Sequence, residues 1–147
     1  MGSRRAAREL ALQALYQLDV LGDGGAEPGS LALFWEHFDS EADADNRTFA
    51  REIVSGVRAD LQRIDELIST AAEHWRLPRL SRVDLNLLRL GVYELLERPE
   101  IPASVTLDEA VEIAKRFGSR ESAGFVNGVL DHIARQLDAP GLSRRST

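Results

Sequence analysis

Apolar residues recur every three or four positions along most of this chain, which is the spacing of amphipathic helices. The first such stretch runs from about Arg4 to Leu21, and Ser3 before it is a candidate N-cap. Its apolar arc is formed by Ala7, Leu10, Ala11, Ala14, Leu18 and Leu21. Its neighbouring arc is formed by Arg4, Arg5, Arg8, Leu12 and Tyr16. We therefore expect a basic stripe that ends in a tyrosine, beside the buried face of the helix.

A glycine-rich loop over 22–29 and an acidic linker over 40–45 enclose a short predicted helix at about 31–38. Apolar positions then keep one helical phase over 49–75. That phase predicts either one long helix or two nearly collinear helices that break within 56–60.

The segment Leu77-Pro78-Arg79 ends this phase, because proline cannot continue a helix and disfavours helix in the residue before it. We expect a boundary there between an N-terminal subdomain of about 3–76 and a C-terminal subdomain of about 81–138. Residues 139–147 are expected to form a disordered tail. No alternating apolar-polar run of useful length is present, so the predicted fold class is all-α.

The helix predicted from Ser81 to about Glu97 is apolar nearly all round. Ser81 with Asp84 resembles a capping box at its start. One apolar face is formed by Leu85, Leu88, Val92, Leu95 and Leu96, and a second by Val83, Leu87 and Leu90. Such a helix is either central to the fold or covered on one face by a partner.

Two more helices follow a proline-containing connection. Thr106 with Glu109 has the form of a capping box for a helix that ends at Phe117, and Gly118 suits a left-handed stop. The last predicted helix covers about 120–137.

Composition narrows the range of functions. The 147-residue chain has the length of one ordinary domain, and it contains no cysteine, which excludes disulfides and thiol catalysis. No apolar run approaches the ~18 residues that a membrane-spanning helix needs, so we predict a soluble, cytoplasmic protein. The net charge of −6 argues against general nucleic-acid binding, but Arg4, Arg5 and Arg8 concentrate positive charge at one end.

Catalytic and metal-binding patterns are absent from the sequence. His37, His74 and His132 fall on different predicted helices without metal-ligand spacing, and no thiol is present to complete a zinc site. Neither a phosphate-binding glycine loop nor a nucleophile elbow occurs. We therefore predict no enzyme activity, no metal and no cofactor.

Three blocks stand out by their order and spacing. They are Arg-Arg-Ala-Ala-Arg-Glu-Leu-Ala-Leu-Gln-Ala-Leu-Tyr-Gln at 4–17, Leu-Leu-Arg-Leu-Gly-Val-Tyr-Glu-Leu at 87–95, and Val-Thr-Leu-Asp-Glu-Ala-Val-Glu-Ile-Ala-Lys-Arg-Phe-Gly at 105–118, continued by Phe-Val-Asn-Gly-Val-Leu-Asp at 125–131. Together they resemble the NusB family of transcription antitermination factors. The resemblance implies about six to seven helices in two small bundles that share a core.

The same resemblance implies a function. Members of this family bind the boxA element of ribosomal RNA leader transcripts together with the ribosomal protein NusE, and so help RNA polymerase in the elongation complex to read through terminators. The expected partners are therefore single-stranded boxA RNA, NusE and the transcription elongation complex.

The resemblance also implies which residues bind. RNA-binding positions of the family correspond to Arg4, Arg5, Arg8, Tyr16, Phe117 and Phe125. Arginines would contact phosphates, and the aromatic rings would stack on bases that have left a helix. From the helical pattern alone, Phe117 and Phe125 would instead be core residues. If the family site is present, the first helix must lie beside the turn that follows Phe117, with Arg8 and Phe125 on one side of the molecule.

Three further positions carry implied roles. Asp84 and Tyr93 correspond to the NusE-binding surface, although Asp84 is equally well explained as a helix cap. Glu121 corresponds to an acidic position that borders the RNA site and limits affinity. Two positions depart from the family pattern, Gly124 where relatives are frequently basic and Asp108 where they mostly have asparagine.

Two alternative functions remain open from the sequence. The chain resembles, less fully, the N-terminal accessory region of ribosomal RNA cytosine methyltransferases. It also has the features of a self-associating scaffold, a homodimer that would use the face of Val83, Leu87 and Leu90.

Overall fold

The computed structural model describes residues 4–21, 44–73 and 80–142, and these residues form six α-helices with no strand among them. The helices are α1 (Arg4–Leu21), α2 (Ala44–Ala59), α3 (Leu61–Ala71), α4 (Arg82–Glu97), α5 (Ala103–Phe117) and α6 (Ser122–Gln136). The all-α prediction is confirmed. The predicted short helix at 31–38 and the boundary segment at 77–79 lie outside the described residues.

Helix α4 is the centre of the fold, because it contacts each of the other five helices. Leu87 and Leu90, predicted as a second apolar face, are buried inside the chain. The self-association face predicted from them is therefore wrong for these two residues, while Val83 is only partly buried. Helix α4 is apolar nearly all round because other helices of the same chain pack around it.

One hydrophobic core runs through both predicted subdomains. It includes Ile53 and Ile64 from the N-terminal part and Ile113 and Leu130 from the C-terminal part, each almost completely buried. In the described residues, the two predicted subdomains thus share one core, as the resemblance implied. No described helix has the length and apolar content that would let it cross a membrane.

The long apolar phase over 49–75 contains a break at Asp60, whose backbone leaves the helical region at φ −127° and ψ 28°. This confirms the two-helix alternative and places the break within the predicted range. The N-cap of α4 is also as predicted, since the backbone N–H of Asp84 donates to Ser81 Oγ at 3.0 Å.

The predicted capping box at Thr106 is wrong, because α5 begins three residues earlier, at Ala103. Its first N–H groups are satisfied by the chain's C-terminal segment: Ala103 N donates to the carbonyl of Pro140 at 2.8 Å, and Ser104 N to that of Gly141 at 3.1 Å. With these donors satisfied, α5 needs no side-chain cap. Residues 139–142, expected to begin a disordered tail, are therefore placed against α5, and Ala139 is buried.

Gly118 is not the left-handed stop that the sequence predicts, since its backbone is extended at φ −96° and ψ −172°. A Cβ at this position would approach Ser122 Cβ to 2.6 Å. Glycine is needed here because the turn after α5 folds closely onto the start of α6. This turn also moves the start of α6 from the predicted Arg120 to Ser122.

Candidate nucleic-acid interface

Helices α1 and α5 meet along a line of paired charges that leads to two aromatic rings. Arg5 donates to Glu109 through Nη2 at 2.7 Å and through Nε at 3.2 Å. One turn further along α1, Glu9 accepts a hydrogen bond from Arg116 Nη1 at 2.7 Å. Beyond these pairs, Tyr16 and Phe117 line the same groove. We call this surface, formed by Arg5, Glu9, Tyr16, Glu109, Arg116 and Phe117, the α1–α5 seam.

The groove at the end of the seam is largely apolar and has a volume of about 480 Å³. Its lining consists of Leu12, Gln13, Tyr16, Gln17, Val20, Val83 and Phe117. Tyr16 is 41% exposed, and the Arg116 guanidinium lies 5.1 Å from the centre of the Phe117 ring. Phe117 is half-buried, so one part of it packs on the core while another part lines the groove. An open apolar surface beside a cation is suited to an unstacked base.

Arg8 does not belong to the solvated stripe predicted for α1, because it is only 3% exposed. Its Nε and Nη2 donate to the two carboxylate oxygens of Glu94, each at 2.7 Å. Thr106 Oγ1 donates to the same carboxylate at 3.3 Å, and Glu109 Oε1 lies 3.7 Å from Arg8 Nη1. The prediction of an exposed Arg8 is wrong because Glu94, buried in the central helix, requires a cationic partner.

Arg4 lies on the other flank of α1. Its Cζ is 4.5 Å from the centre of the Phe49 ring, and its Nη1 donates to the carbonyl of Asp45 at 3.2 Å. A depression of about 510 Å³ with a mixed polar and apolar lining opens there, and Arg98 also lines it. Arg4 and Arg5 are both exposed, so an RNA backbone that crosses the first turn of α1 would meet both.

Arg98 forms its hydrogen bonds within the protein. Its guanidinium donates to Glu52 Oε1 at 2.6 Å, to Glu100 Oε2 at 3.2 Å and to the Tyr93 hydroxyl at 3.3 Å. Burial opposes the charged form, but the hydrogen bonds with Tyr93 and Glu52 raise the pKa of Arg98 above its usual value. Because the charge of Arg98 is paired within the chain, the depression beside Phe49 is not a strongly cationic site.

Phe125 lines a second depression, of about 330 Å³, between the end of α3 and α6. It is half-buried, and Ala71, Gly124 and Gly128 line the same space. A Cβ at Gly124 would meet nothing within 4 Å, so the departure from the family pattern leaves open space beside Phe125. The structure thus brings Tyr16 and Phe117 together, while Phe125 lines a different surface.

The predicted partner-binding residues differ in exposure. Tyr93 is buried, with its ring against Gly56, so the predicted contact of its side chain with a partner is not supported. Asp84 is partly buried and follows Val83, which lines the groove; one of its carboxylate oxygens is buried and has no partner in the described part of the chain. Glu121 is exposed in the turn before α6 and accepts a hydrogen bond from Ser119 Oγ at 3.5 Å.

The ion pairs of the seam are not predicted from the sequence. Glu109 is interpreted there as part of a capping box, and neither its pairing with Arg5 nor that of Glu9 with Arg116 is expected, because opposite charges on separate helices carry no spacing signal. The pairing of Glu94 with Arg8 also joins separate helices and has no spacing signal, although a carboxylate inside an apolar helix does indicate a buried partner.

Metal ligands do not cluster in the described ranges, where no group of three or more histidine, aspartate or glutamate side chains could hold an ion. His132 is exposed, and His37 and His74 lie outside the described residues.

Comparisons with known proteins agree with the block pattern. The model of the NusB family matches residues 5–135. A transcription antitermination protein NusB from Sorangium cellulosum is 50% identical over 137 residues, which cover 93% of this chain and 95% of that protein. The fold is similar to a T. maritima NusB structure, with a TM-score of 0.82 and 43% identity over 92% of this chain and 94% of that one.

A second similar structure contains partners. It is a crystal structure of the antitermination factors NusB and NusE in complex with double-stranded RNA, with a TM-score of 0.78 and 28% identity over 90% of this chain and 96% of that chain.

Proposed function

Because the chain belongs to the NusB family, we propose that it binds the boxA element of ribosomal RNA leader transcripts together with NusE and promotes transcription antitermination without catalysis. In this role it joins the transcription elongation complex in the cytoplasm. Its contribution is to hold the RNA and the ribosomal protein next to each other, since binding two partners at once raises the effective concentration of each.

The α1–α5 seam is the observation that carries the proposal. Exposed Arg5 and Arg116 offer guanidinium groups to phosphates, and Tyr16 with Phe117 offers ring surface to a base within the same groove. Base stacking on an aromatic side chain contributes ~1–3 kcal/mol per base, which is enough to retain a single strand on a chain of net charge −6. Arg4 extends this surface across the first turn of α1.

Two of the positions implied by the resemblance have smaller roles in this proposal. Arg8 supports the surface from beneath through its pair with Glu94, because a buried guanidinium cannot reach a phosphate. Phe125 would meet the RNA only where the strand continues past α5 towards α6, since it lines a separate depression.

A NusE-binding role is supported by the similar structure that contains NusE. The partly exposed start of α4, at Val83 and Asp84, adjoins the groove and is the best-placed part of the predicted partner surface. Tyr93 is left out of this surface because it is a core residue.

The proposed strand is single because grooves of this kind accept bases that are free of pairing. The similar complex contains double-stranded RNA, so the test must compare both forms. Fluorescence anisotropy would measure binding of the full chain to a labelled boxA strand, to the same strand paired with its complement, and to a scrambled strand, each with and without NusE.

We expect the single boxA strand to bind more tightly than the duplex and the scrambled strand, and NusE to strengthen binding further. Affinity should fall with salt, with a slope of about −0.7 for each phosphate contacted on a single strand. Absence of binding to any RNA, with and without NusE at moderate salt, would refute the proposed function.

A further inference from the structure

Both exposed arginines of the α1–α5 seam are already engaged by carboxylates of the facing helix. Arg5 of α1 pairs with Glu109 of α5, and Arg116 of α5 pairs with Glu9 of α1. Glu109 also raises the pKa of Arg5, through hydrogen bonding first and charge second. The two cations that a phosphate would meet on this surface are therefore neutralised within the chain.

The carboxylates lie deeper than their arginine partners. The side chain of Arg116 is 66% exposed and that of Glu9 only 14%, while the values for Arg5 and Glu109 are 44% and 19%. A ligand that arrives from solvent meets the guanidinium first and has a carboxylate directly behind it. The phosphate must either share the guanidinium with that carboxylate, against the repulsion of like charges, or replace it.

We propose that Glu9 and Glu109 are affinity-limiting residues, which compete inside the chain with RNA phosphates for Arg116 and Arg5. The inference rests on the proposed function, because it concerns the same surface and the same ligand chemistry. It adds that RNA affinity is limited by two carboxylates of the chain itself, neither of which is among the predicted site residues.

The two carboxylates differ in whether a second cation lies beside them once their arginine partner binds a phosphate. Glu109 Oε1 also lies 3.7 Å from Nη1 of the buried Arg8, so Glu109 keeps a cationic neighbour. Glu9 has no second ion pair in the described part of the chain, and it is the more buried of the two carboxylates. Release of Arg116 therefore costs more than release of Arg5, and Glu9 is the stronger competitor.

The test uses charge-removing variants of the full chain, Glu9→Gln and Glu109→Gln, with the single-stranded boxA RNA as the probe. Glu66→Gln is the matched control, since it removes the same charge from an exposed position on α3, where the Glu66 carboxylate accepts a hydrogen bond from Gln62 and has no ion pair among the described residues. Circular dichroism melting of each variant verifies that it folds. If Glu109→Gln disturbs the ion pairs of Arg8, Glu9→Gln alone still tests the competition.

We expect Glu9→Gln to bind the RNA about two- to fivefold more tightly than the control, and Glu109→Gln to show a smaller gain, as is typical when one exposed ion pair is removed. If Glu9 acts through Arg116, its gain must disappear in an Arg116→Gln background. A purely structural effect of Glu9→Gln would persist in that background.

The outcomes separate the two proposals. Wild-type binding with no gain beyond that of Glu66→Gln, or a gain that survives Arg116→Gln, overturns the competition and leaves the proposed function standing. Failure of the wild-type chain to bind any RNA, with and without NusE, overturns the proposed function, and the inference with it.

Discussion

Glu94 shows how one buried residue can fix the position of a helix that carries part of the proposed RNA-binding seam. It is a fully enclosed carboxylate on the central helix α4, and its two oxygens accept hydrogen bonds from Arg8 of α1. Thr106 of α5 donates to the same group. One buried charge pair thus ties together the helices that carry the seam, and a one-turn shift of α1 would leave both charges unpaired.

The first prediction concerns this buried pair. Glu94→Gln should lower the free energy of unfolding by up to ~3–5 kcal/mol, because the buried guanidinium of Arg8 would lose its bidentate carboxylate and keep only Glu109, at 3.7 Å, as a counter-charge. Urea denaturation would measure the loss. The matched control is Arg63→Gln, which breaks the exposed pair with Asp60 and should change stability by less than ~1 kcal/mol.

A double replacement distinguishes charge from packing at this site. Arg8→Met with Glu94→Met removes both charges together and should cost less than Glu94→Gln alone, since no ion is left unpaired. Equal losses for Glu94→Gln and Arg63→Gln would show that the buried pair contributes no more than a surface pair.

At the scale of elements, the contact between α2 and α4 depends on a glycine. A Cβ on Gly56 would overlap the ring of buried Tyr93, with the ring Cζ only 2.9 Å away. The two helices approach closely at this point, and the ring fills the space that a side chain on Gly56 would need. The same approach explains why Tyr93 is buried instead of available to a partner.

The second prediction tests that close approach. Gly56→Ala should overpack the contact at a cost in the upper part of ~1–3 kcal/mol, because the Cβ would overlap three atoms of the Tyr93 ring, and this outweighs the ~0.5–1 kcal/mol gained from better helix propensity. Gly128→Ala on α6 is the control, because a Cβ there meets nothing within 4 Å and should stabilise the chain by ~0.5–1 kcal/mol. Urea titrations of the two variants should therefore shift in opposite directions, and a shift in the same direction would contradict the packing argument.

The class and phase of the described helices were predictable from the sequence, because apolar periodicity records which face of each helix is buried, whereas the division of 49–75 into two helices was left open. Helix ends were predictable only where the cap is local, as at Ser81. The start of α5 was missed because its donors are satisfied by Pro140 and Gly141, far along the chain. The sequence pattern does not distinguish Arg5 from Arg8. Arg8 is buried because it pairs with Glu94 of α4, whereas Arg5 is exposed.

At the scale of the whole molecule, the candidate site is a consequence of how five helices surround α4. Since α4 contacts every described helix, α1 and α5 meet along its side, and Tyr16 comes beside Phe117 although a hundred residues separate them. The resemblance implied that these positions share a surface, and the pattern of the residues did not. Phe125, assigned to the same surface, instead lines the depression between the end of α3 and α6.

The third prediction asks whether the groove of the seam receives a base. Tyr16→Ala should weaken boxA binding by about five- to 150-fold, because stacking on one aromatic ring contributes ~1–3 kcal/mol. Tyr16→Phe should bind nearly as well as the wild-type chain, since the ring is retained. Val105→Ala is the control, because Val105 is a comparably exposed apolar residue in the depression beside Phe49 and should leave RNA binding unchanged.

Salt dependence separates this contribution from that of the arginines. Tyrosine carries no charge, so Tyr16→Ala should lower affinity equally at every salt concentration, with the slope of log affinity against log salt unchanged. Arg5→Gln should instead reduce the magnitude of that slope by about 0.7, because one phosphate contact is lost. If Tyr16→Ala weakens binding no more than Val105→Ala, the groove does not hold a base, and the seam binds RNA through phosphates alone.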